Sequence, residues 1–478
     1  MYFCLEKLSF EECDVESNKI AVSGSDRDLT WQEFKFEVAE LIEKLCSYNL
    51  PSGHPVVIYG HKEVQFIVSI VACISLKLPY IPVDTIYPNN RLNKIIDIVK
   101  SSVLIDTISG EIIRNTSNNL VSYVENDPIA YIMFTSGSTG EPKGVQITHG
   151  AVADFVKWLK NDFNISSESV FMNQAPLSFD LSGYELFGFL SFGGTVVLNS
   201  RAQIQDIKSY FDRIKSYACN TWVSTPSFIS KYLMSSEFDQ LNFNNLRKFI
   251  FCGEVLPVKT ARKILSAFPE SQLINSYGPT EATVAVTMVT IDAEMLDAFS
   301  KESLPVGRVK CDEKVRIDSV ENSNAGEIIV YGENVSIGYF DNPDLTDLKF
   351  GSFNGMKSFN TGDFGYIKDD LLFFANRADD MIKLHGYRIE LGEIDSTMMN
   401  VNGVECSVTI PLKRGGEIVK LVSFVISTGT SVDELKKEIK NKLPYYMIPS
   451  DIVFIDDYPK TINHKIDKQK LVQLYISS

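Results

Sequence analysis

Short apolar runs alternate with helix-like segments along most of the chain, and this alternation limits the possible folds more than any other feature of the sequence. Residues 30–46 begin with Thr30 and Glu33 in the spacing of a capping box and continue with apolar residues at helical intervals, which predicts an amphipathic helix. The apolar segment 63–76 predicts a buried helix. Strand-like runs lie at 55–60, 129–134, 194–199, 249–253 and 327–332. We therefore expect an α/β fold.

The length of the chain, 478 residues, is sufficient for two or three domains. Its hydrophobic fraction of 44% and charged fraction of 22% are typical of a soluble globular protein. The longest apolar stretch, 66–74, is far shorter than a membrane span. The segment 1–14 lacks the basic start and the continuous apolar run of a secretory signal. These features predict a cytoplasmic protein without a membrane span.

Charge and cysteine content exclude several classes of site. The formal net charge of −15 argues against nucleic acid as the main partner, because the neutralisation of phosphates requires a basic surface. The eight cysteines are scattered without a CxxC pair, so neither a disulfide framework nor a zinc cluster is indicated. The histidines show no metal-ligand spacing, and we expect structural roles for His54, His61, His149 and His385.

One segment has the composition of a phosphate-binding loop. Residues 131–149 read YIMFTSGSTGEPKGVQITH, and glycines, hydroxyls and a lysine are suited to binding an anion. The Walker pattern does not fit, because Pro142 precedes Lys143 and Gly144 follows it, and because GVQIT predicts a strand where a P-loop requires a helix. A flexible linker is the alternative. The candidate nucleotide-binding residues here are Thr135, Ser136, Gly137, Ser138, Thr139, Gly140 and Lys143.

This loop resembles the phosphate-loop signature of the adenylate-forming enzymes, which include amino-acid adenylation domains, acyl-CoA synthetases and luciferases. The resemblance continues in family order through most of the chain. The further motifs are LTWQEF (29–34), LKLPYIPVD (76–84), NSYGPTEATVAVT (275–287), FNTGDFGYI (359–367), NRADDMIKLHGYRIELGEID (376–395) and TINHKID (461–467).

The resemblance implies a large N-terminal domain of layered sheets and helices, 1–378, and a small mobile α+β C-terminal domain, 379–478, with Asp379 as the hinge. It also implies a reaction in which ATP and a carboxylate form an acyl adenylate. Lys465, Glu281 and Thr280 match the catalytic residues, and Glu281 also matches the Mg²⁺ ligand. Besides the loop and Lys465, the residues that match the nucleotide site are Asn275, Tyr277, Gly278, Pro279, Thr280, Asp363 and Arg377.

The segment NQAPLSFDLSGYELF, 173–187, indicates the substrate. Asp180 matches the aspartate that pairs with an α-ammonium group, and a buried carboxylate without a cationic partner would be costly. The pocket resembles that of the ligases that load D-alanine onto a carrier protein. Its matching residues are Asp180, Tyr184, Ser224, Cys252, Ser276 and Val284.

Three residues depart from the family pattern. Tyr184 stands where those ligases usually have an apolar residue, so it is expected to shorten the pocket or to present a hydroxyl to a polar side chain. Asn376 and His464 replace glycines that usually precede Arg377 and Lys465. A residue other than glycine at a turn can require a strained left-handed conformation.

The resemblance predicts an enzyme that activates a small amino acid, D-alanine, as aminoacyl-AMP and transfers it to the phosphopantetheine thiol of a separate carrier protein. We expect a separate carrier because only a short tail follows TINHKID. One alternative is a stand-alone adenylation enzyme of the peptide-synthetase type for another small or polar amino acid. A more distant alternative is a non-catalytic nucleotide-binding relative.

Overall fold

The structure, a computed structural model, describes residues 2–4, 7, 9–11, 18–114, 121, 123, 128–136, 141–299, 303–310, 314–319, 325–377, 381–414, 417–460 and 466–477. The chain divides into two compact units. The first consists of Met1–Asp84, Ile96–Phe134 and Gly144–Ala378, and the second of Thr85–Ile95, Thr135–Lys143 and Asp379–Ser478. The domain boundary expected after residue 378 stays a prediction.

The two helices predicted from the sequence begin and end close to the expected positions. The helix predicted at 30–46 is α1, whose first turn carries the expected capping box of Thr30 and Glu33, and the helix predicted at 63–76 is α2. The helices are α1 (Trp31–Cys46), α2 (Val64–Ser75), α3 (Asn89–Val99), α4 (His149–Asn161), α5 (Gly183–Phe192), α6 (Arg201–Gln205), α7 (Ile207–Ser216), α8 (Pro226–Ser230), α9 (Val258–Ala267), α10 (Ala293–Ala298), α11 (Pro343–Lys349), α12 (Leu391–Met399), α13 (Val432–Lys440) and α14 (Lys468–Ser477).

The strands include each of the strand-like runs found in the sequence. They are β1 (Tyr2–Cys4), β2 (Ser9–Glu11), β3 (Ile20–Ser23), β4 (Asp28–Thr30), β5 (Val56–Gly60), β6 (Tyr80–Asp84), β7 (Val103–Asp106), β8 (Glu111–Arg114), β9 (Ile129–Thr135), β10 (Lys143–Thr148), β11 (Val170–Asn173), β12 (Thr195–Leu198), β13 (Thr221–Ser224), β14 (Lys248–Phe251), β15 (Gln272–Tyr277), β16 (Thr287–Ile291), β17 (Arg308–Val309), β18 (Lys314–Ser319), β19 (Gly326–Tyr331), β20 (Phe350–Phe353), β21 (Met356–Lys368), β22 (Leu371–Arg377), β23 (Met381–Leu384), β24 (Tyr387–Glu390), β25 (Val404–Arg414), β26 (Glu417–Ser427) and β27 (Asp451–Phe454).

The described strands of the first unit form three main sheets. One has six strands in the order β10-β9-β6-β5-β7-β8, and another has nine in the order β17-β16-β15-β14-β13-β11-β12-β3-β4. Strands β11, β13, β14 and β15 of the nine-stranded sheet run parallel to one another, so their carboxyl ends lie at the same edge. The third sheet has the order β18-β19-β21-β20, with β22 paired to β21.

The core of the first unit explains why α2 is apolar on every side. Residues from Val64 to Ile74 of α2 are buried almost without exception, whereas α1 buries only the face that contains Trp31, Phe34 and Val38. Both helices belong to one hydrophobic cluster with β3, β5, β9 and β11. An α/β architecture with a larger and a smaller unit is therefore confirmed. No helix in the described part of the chain is both long and apolar enough to cross a membrane.

The second unit contains a three-stranded sheet, β25-β26-β27, and the hairpin β23-β24. His385 and Gly386 connect the hairpin with φ angles of 51° and 85°. Positive φ at both central residues is the geometry of the turns that match the twist of hairpin strands, so Gly386 is favoured there. Helices α12 and α13 contribute Ile394, Met398, Leu435 and Ile439 to the core of this unit.

Candidate active site

Three of the predicted pocket residues lie at the carboxyl ends of parallel strands. Ser224 ends β13, Cys252 follows β14 and Ser276 lies near the end of β15. The pairing of Ser224 with Phe251 and of Phe251 with Asn275 keeps these strand ends level with one another. This is the edge at which open α/β sheets usually bind ligands. The hydroxyl of Ser224 bonds locally, accepting from Trp222 Nε1 (2.8 Å) and donating to the carbonyl oxygen of Thr225 (2.9 Å).

The side chain of Tyr184 is held rigidly beside Ser276. Its side chain is fully buried on α5, and its hydroxyl lies 2.8 Å from Ser276 Oγ. Ser276 Oγ in turn donates a hydrogen bond to the carbonyl oxygen of Phe251 (3.0 Å). The ring of Tyr184 contacts those of Phe155 and Phe163, with centroid distances of 5.4 and 5.5 Å. Burial raises the pKa of Tyr184 well above its usual value, so the phenol stays neutral.

Cys252 and Val284 are in direct contact. The Sγ atom of Cys252 is buried and lies 4.0 Å from the carbonyl oxygen of Val284. Val284 has a φ of 71° and Thr283 a φ of 54°, which are uncommon values for β-branched residues. Such backbone strain is often found at ligand-binding sites. A Cβ at Gly183 would lie 2.9 Å from Val284 Cγ2, so glycine allows the start of α5 to approach this segment.

Asp180 lies next to this group of small and aromatic side chains. It begins the short 3-10 helix Asp180–Ser182, directly before α5, and its side chain is partly exposed. Burial is the main cause of the raised pKa of Tyr184 and of Tyr131, and the nearby negative charge of Asp180 adds to both shifts. The structure therefore brings Asp180, Tyr184, Ser276, Cys252 and Val284 together.

The ribose-site candidates form a hydrogen-bonded group. Asp363 on β21 is the cross-strand partner of Arg377 on β22, and Arg377 Nη1 donates to Asp363 Oδ1 at 2.5 Å. The hydroxyl of Tyr277 donates to Asp363 Oδ2 at 2.7 Å. Burial, followed by the charge of Asp363, raises the pKa of Tyr277 well above its usual value. Each carboxylate oxygen can accept more than one hydrogen bond, so this group retains acceptor capacity.

The backbone of Asn376 does not adopt the positive φ that would favour glycine. It lies inside β22 opposite Phe364, and it is not among the residues with positive φ. The strain that the departure from glycine suggested is therefore absent at Asn376.

Glu281 is fully buried in the 3-10 helix Thr280–Ala282. Its Oε1 accepts a hydrogen bond from the hydroxyl of Tyr339 at 2.8 Å, and its carbonyl oxygen accepts one from Ser336 N at 2.9 Å. The sequence analysis missed Tyr339, because no local pattern relates it to a glutamate 58 residues away. In the described part of the chain, no group of three or more histidine, cysteine or acidic side chains could hold a metal ion.

The residues that surround Glu281 restrict the local backbone. A Cβ at Gly278 would lie 2.3 Å from the Cα of Ala285, so only glycine fits there. Pro279 caps the 3-10 helix, and Thr280 is its first residue. Asn275 Nδ2 donates to the carbonyl oxygen of Pro305 (2.8 Å), whereas Asn275 Oδ1 is buried and has no partner within the described residues. That oxygen is suited to accept a hydrogen bond from a ligand.

Two family models match the sequence. The model of the AMP-binding enzymes matches residues 10–340, and that of the AMP-binding enzyme C-terminal domain matches 393–465. The chain belongs to the family of AMP-binding enzymes. The resemblance inferred from the ordered motifs is thereby confirmed.

Several AMP-binding enzymes are similar to the whole chain. The D-alanine–D-alanyl carrier protein ligase of Bacillus cytotoxicus is 36% identical, and the match covers 94% of each chain. The ligase of the same name from Bacillus mycoides is also 36% identical, with 98% of each chain covered. Among solved structures, the Vibrio cholerae adenylation domain AlmE in complex with glycyl-adenosine-5'-phosphate superimposes with a TM-score of 0.84 at 21% identity. That match covers 98% of this chain and 99% of the AlmE chain, and it supports the fold alone.

The phosphate-loop candidates of this AMP-binding enzyme lie in the second unit. As the sequence predicts, strands β9 and β10 flank the loop. Thr135 Oγ1 lies 3.5 Å from the carbonyl oxygen of Lys143, and Ser136 Oγ donates to the carbonyl oxygen of Arg388 at 2.9 Å. Lys143 Nζ lies 3.5 Å from Glu390 Oε1. Some predicted site residues lie outside the described residues, and these are Gly137, Ser138, Thr139, Gly140, Asp379, His464 and Lys465.

Proposed function

We propose that this chain activates D-alanine with ATP and transfers it to a separate carrier protein. In the first step, the carboxylate of the amino acid attacks the α-phosphate, which yields aminoacyl-AMP and releases pyrophosphate. In the second step, the phosphopantetheine thiol of the carrier displaces AMP and forms a thioester. The high similarity to D-alanine–D-alanyl carrier protein ligases over nearly the full chain supports both steps.

The observation that carries the proposal is the position of β15 between two groups of side chains. Ser276 bonds to Tyr184 in the pocket, and the next residue, Tyr277, bonds to Asp363 in the ribose group. The two residues are consecutive at the carboxyl end of β15, so this strand end can hold the amino acid and the nucleotide next to each other. Such proximity of two reactants is a major source of rate enhancement.

We assign the amino-acid side of the site to the group around Asp180. The carboxylate of Asp180 would pair with the substrate ammonium, and Tyr184, Cys252 and Val284 would leave room only for a small side chain. Ser224 and Ser276 would complete the wall at the strand ends. Because the hydroxyl of Tyr184 already bonds to Ser276, this geometry favours a methyl group over a polar side chain.

We assign the nucleotide side to Asn275, Tyr277, Asp363 and Arg377. Asp363 would accept hydrogen bonds from the ribose hydroxyls while Arg377 and Tyr277 hold its orientation. The unpartnered Oδ1 of Asn275 fits a donor such as the exocyclic amino group of adenine. Thr280 would contact the α-phosphate, next to the tightly packed Gly278 and Pro279.

The charge on the phosphates requires cationic partners. Thr135, Ser136 and Lys143, together with the rest of the loop from Gly137 to Gly140, would bind the outer phosphates. Lys465 would bind the substrate carboxylate during adenylation. Glu281 would be the protein ligand of Mg²⁺, which neutralises phosphate charge when bound. Mg²⁺ is commonly held by one or two carboxylates together with substrate phosphates, so a single buried glutamate with one oxygen on a tyrosine hydroxyl fits this ion.

The remaining assignments concern the chain as a whole. We propose a boundary between residues 378 and 379, with Asp379 as the hinge of the C-terminal domain. Because the reaction consumes ATP, we also place the enzyme in the cytoplasm.

The proposal is tested by amino-acid-dependent exchange of labelled pyrophosphate into ATP. We expect exchange to be strongest with D-alanine in a panel that includes L-alanine, glycine, D-serine and D-valine. Asp180→Asn keeps the shape of the side chain but removes its charge, so it should raise the KM for D-alanine by about 100-fold while the KM for ATP is unchanged. Absence of exchange with every amino acid of the panel would contradict the proposal.

A further inference from the structure

A buried polar network lies beside the proposed amino-acid pocket. Lys62, which follows β5, is fully buried, and its ammonium donates to Asn173 Oδ1 and to the carbonyl oxygen of Ala175. Asn173 Nδ2 donates to Glu185 Oε2 at 2.9 Å and to the carbonyl oxygen of Ala175 at 3.3 Å. The amide of Asn173 therefore bridges the two ionisable groups, with its oxygen toward Lys62 and its nitrogen toward Glu185.

Both ionisable groups of this network are strongly affected by burial. Burial lowers the pKa of Lys62 to about 8 and raises the pKa of Glu185 to about 8. The charged groups that act on Lys62 are Glu185, Asp84, Arg201 and Glu63, in this order of effect. Glu185 is held by Asn173 and attracted by Lys62, and its Oε1 has no partner within the described residues.

A network of this kind contributes little to net stability, because the cost of removing two ionisable groups from water offsets most of the attraction between them. Its main physical effect is geometric, since each hydrogen bond to a buried charge restricts the groups that make it. Further bonds extend this restraint. Asn199 Nδ2 donates to the carbonyl oxygen of Asn173 (2.9 Å), and Arg213 Nε donates to Asn199 Oδ1 (2.8 Å).

The restrained groups lie on both sides of Asp180 in the sequence. Asn173 and Ala175 are at the start of the segment that connects β11 to the 3-10 helix Asp180–Ser182, and Glu185 is in the first turn of α5. Glu185 also directly follows Tyr184. Lys62 and Asn173 therefore fix the start of the segment that carries Asp180, and Glu185 fixes the helix that follows it.

We propose that Lys62, Asn173 and Glu185 are positioning residues, which hold Asp180 and Tyr184 in the geometry required to bind the amino acid. This inference rests on the proposed function, because it assigns these residues to the same amino-acid pocket. They contact neither substrate in this scheme and act through the segment 174–185. Loss of the network should therefore weaken binding of the amino acid and leave binding of ATP unchanged.

The test uses Lys62→Met, Glu185→Met and the double variant in the 478-residue chain. Displacement of a binding group by about 1 Å can cost about 100-fold, so we expect each single variant to raise the KM for D-alanine by about 10-fold or more. The KM for ATP should stay within about twofold of the unaltered chain, as for residues that act on one substrate only. Because the two residues act as one unit, the double variant should be no worse than Lys62→Met alone.

Lys310→Met is the matched control, since Lys310 is a second buried lysine whose ammonium pairs with Asp154 on α4. It should lower the thermal unfolding temperature without changing the KM for D-alanine. If Lys62→Met does not fold, Glu185→Met decides the test, because it nearly keeps the side-chain volume and removes the acceptor of the hydrogen bond from Asn173. An unchanged KM for D-alanine in a folded Glu185→Met variant would overturn the positioning role, while exchange by the unaltered chain would leave the proposed function intact. Lack of exchange by the unaltered chain would overturn both.

Discussion

The side chain of Tyr184 is held at both its ring and its hydroxyl. Its ring is fixed by Phe155 and Phe163, and its hydroxyl is fixed by Ser276. A side chain held at both ends cannot move aside for a larger ligand without loss of packing or of a hydrogen bond. We therefore expect Tyr184, which departs from the family pattern in the sequence, to limit the depth of the proposed pocket.

Replacement of Tyr184 by leucine should widen the substrate range. Removal of part of the ring opens space beside Cys252, so the exchange rate with D-valine relative to that with D-alanine should increase by about 10-fold, the usual effect of one or two methylene groups in an apolar pocket. Tyr184→Phe keeps the ring and removes only the hydroxyl, so it should retain the preference for D-alanine. An unchanged preference in the leucine variant would show that another residue sets the size limit.

At the scale of single elements, the sequence predicts local structure well. The boundaries of α1, α2, β9 and β10 depend on spacing within a few residues, so capping and periodicity were sufficient. Contacts between distant segments could not be predicted in this way. Lys62 and Asn173 are 111 residues apart, and Tyr277 and Asp363 are 86 apart. These residues become neighbours only when the sheets form and bring the ends of distant strands together.

One local signal pointed to the missed network. Glu185 lies in α5, GYELFGFLSF, a helix whose other side chains are apolar or small. A charged residue in an apolar helix requires a buried partner, because an isolated buried charge is too costly. The sequence predicts such a partner if the helix is buried, but it does not identify Asn173, bridged to Lys62.

The packing of α12 on β25 provides a pH-dependent contribution to stability. Asp395 on α12 accepts hydrogen bonds from Ser407 Oγ (3.1 Å) and Thr409 Oγ1 (2.6 Å) on β25, and burial raises its pKa to about 6. In the folded chain Asp395 therefore keeps its proton up to about pH 6, whereas in the unfolded chain it loses the proton near pH 4. Between these two values the unfolded state binds fewer protons, so stability decreases as the pH rises through this window.

Asp395→Asn should remove this dependence, because asparagine accepts the same hydrogen bonds and does not ionise. The free energy of unfolding of the variant minus that of the unaltered chain should therefore increase by up to about 2 kcal/mol between pH 4 and pH 7. Urea unfolding at several pH values measures this difference. Asp451→Asn is a suitable comparison, because hydrogen bonds to Tyr475 and Lys420 lower the pKa of Asp451 and the dependence should have the opposite sign. A pH-independent difference for Asp395→Asn would contradict the prediction.

At the scale of the whole molecule, the two proposed steps make different demands on the chain. Exchange of pyrophosphate requires only the arrangement that forms the adenylate, whereas loading of a carrier requires that arrangement and a second one. The family resemblance assigns the change between them to rotation at Asp379. Asp379→Pro fixes φ near −65° and should therefore reduce carrier loading at least about tenfold while exchange falls less. Asp379→Ala leaves φ free and should preserve both rates.

Labelled D-alanine measures loading and labelled pyrophosphate measures exchange in the same preparation. Equal losses in the proline and alanine variants would assign Asp379 a role in binding, and full loading by the proline variant would place the hinge elsewhere in the chain.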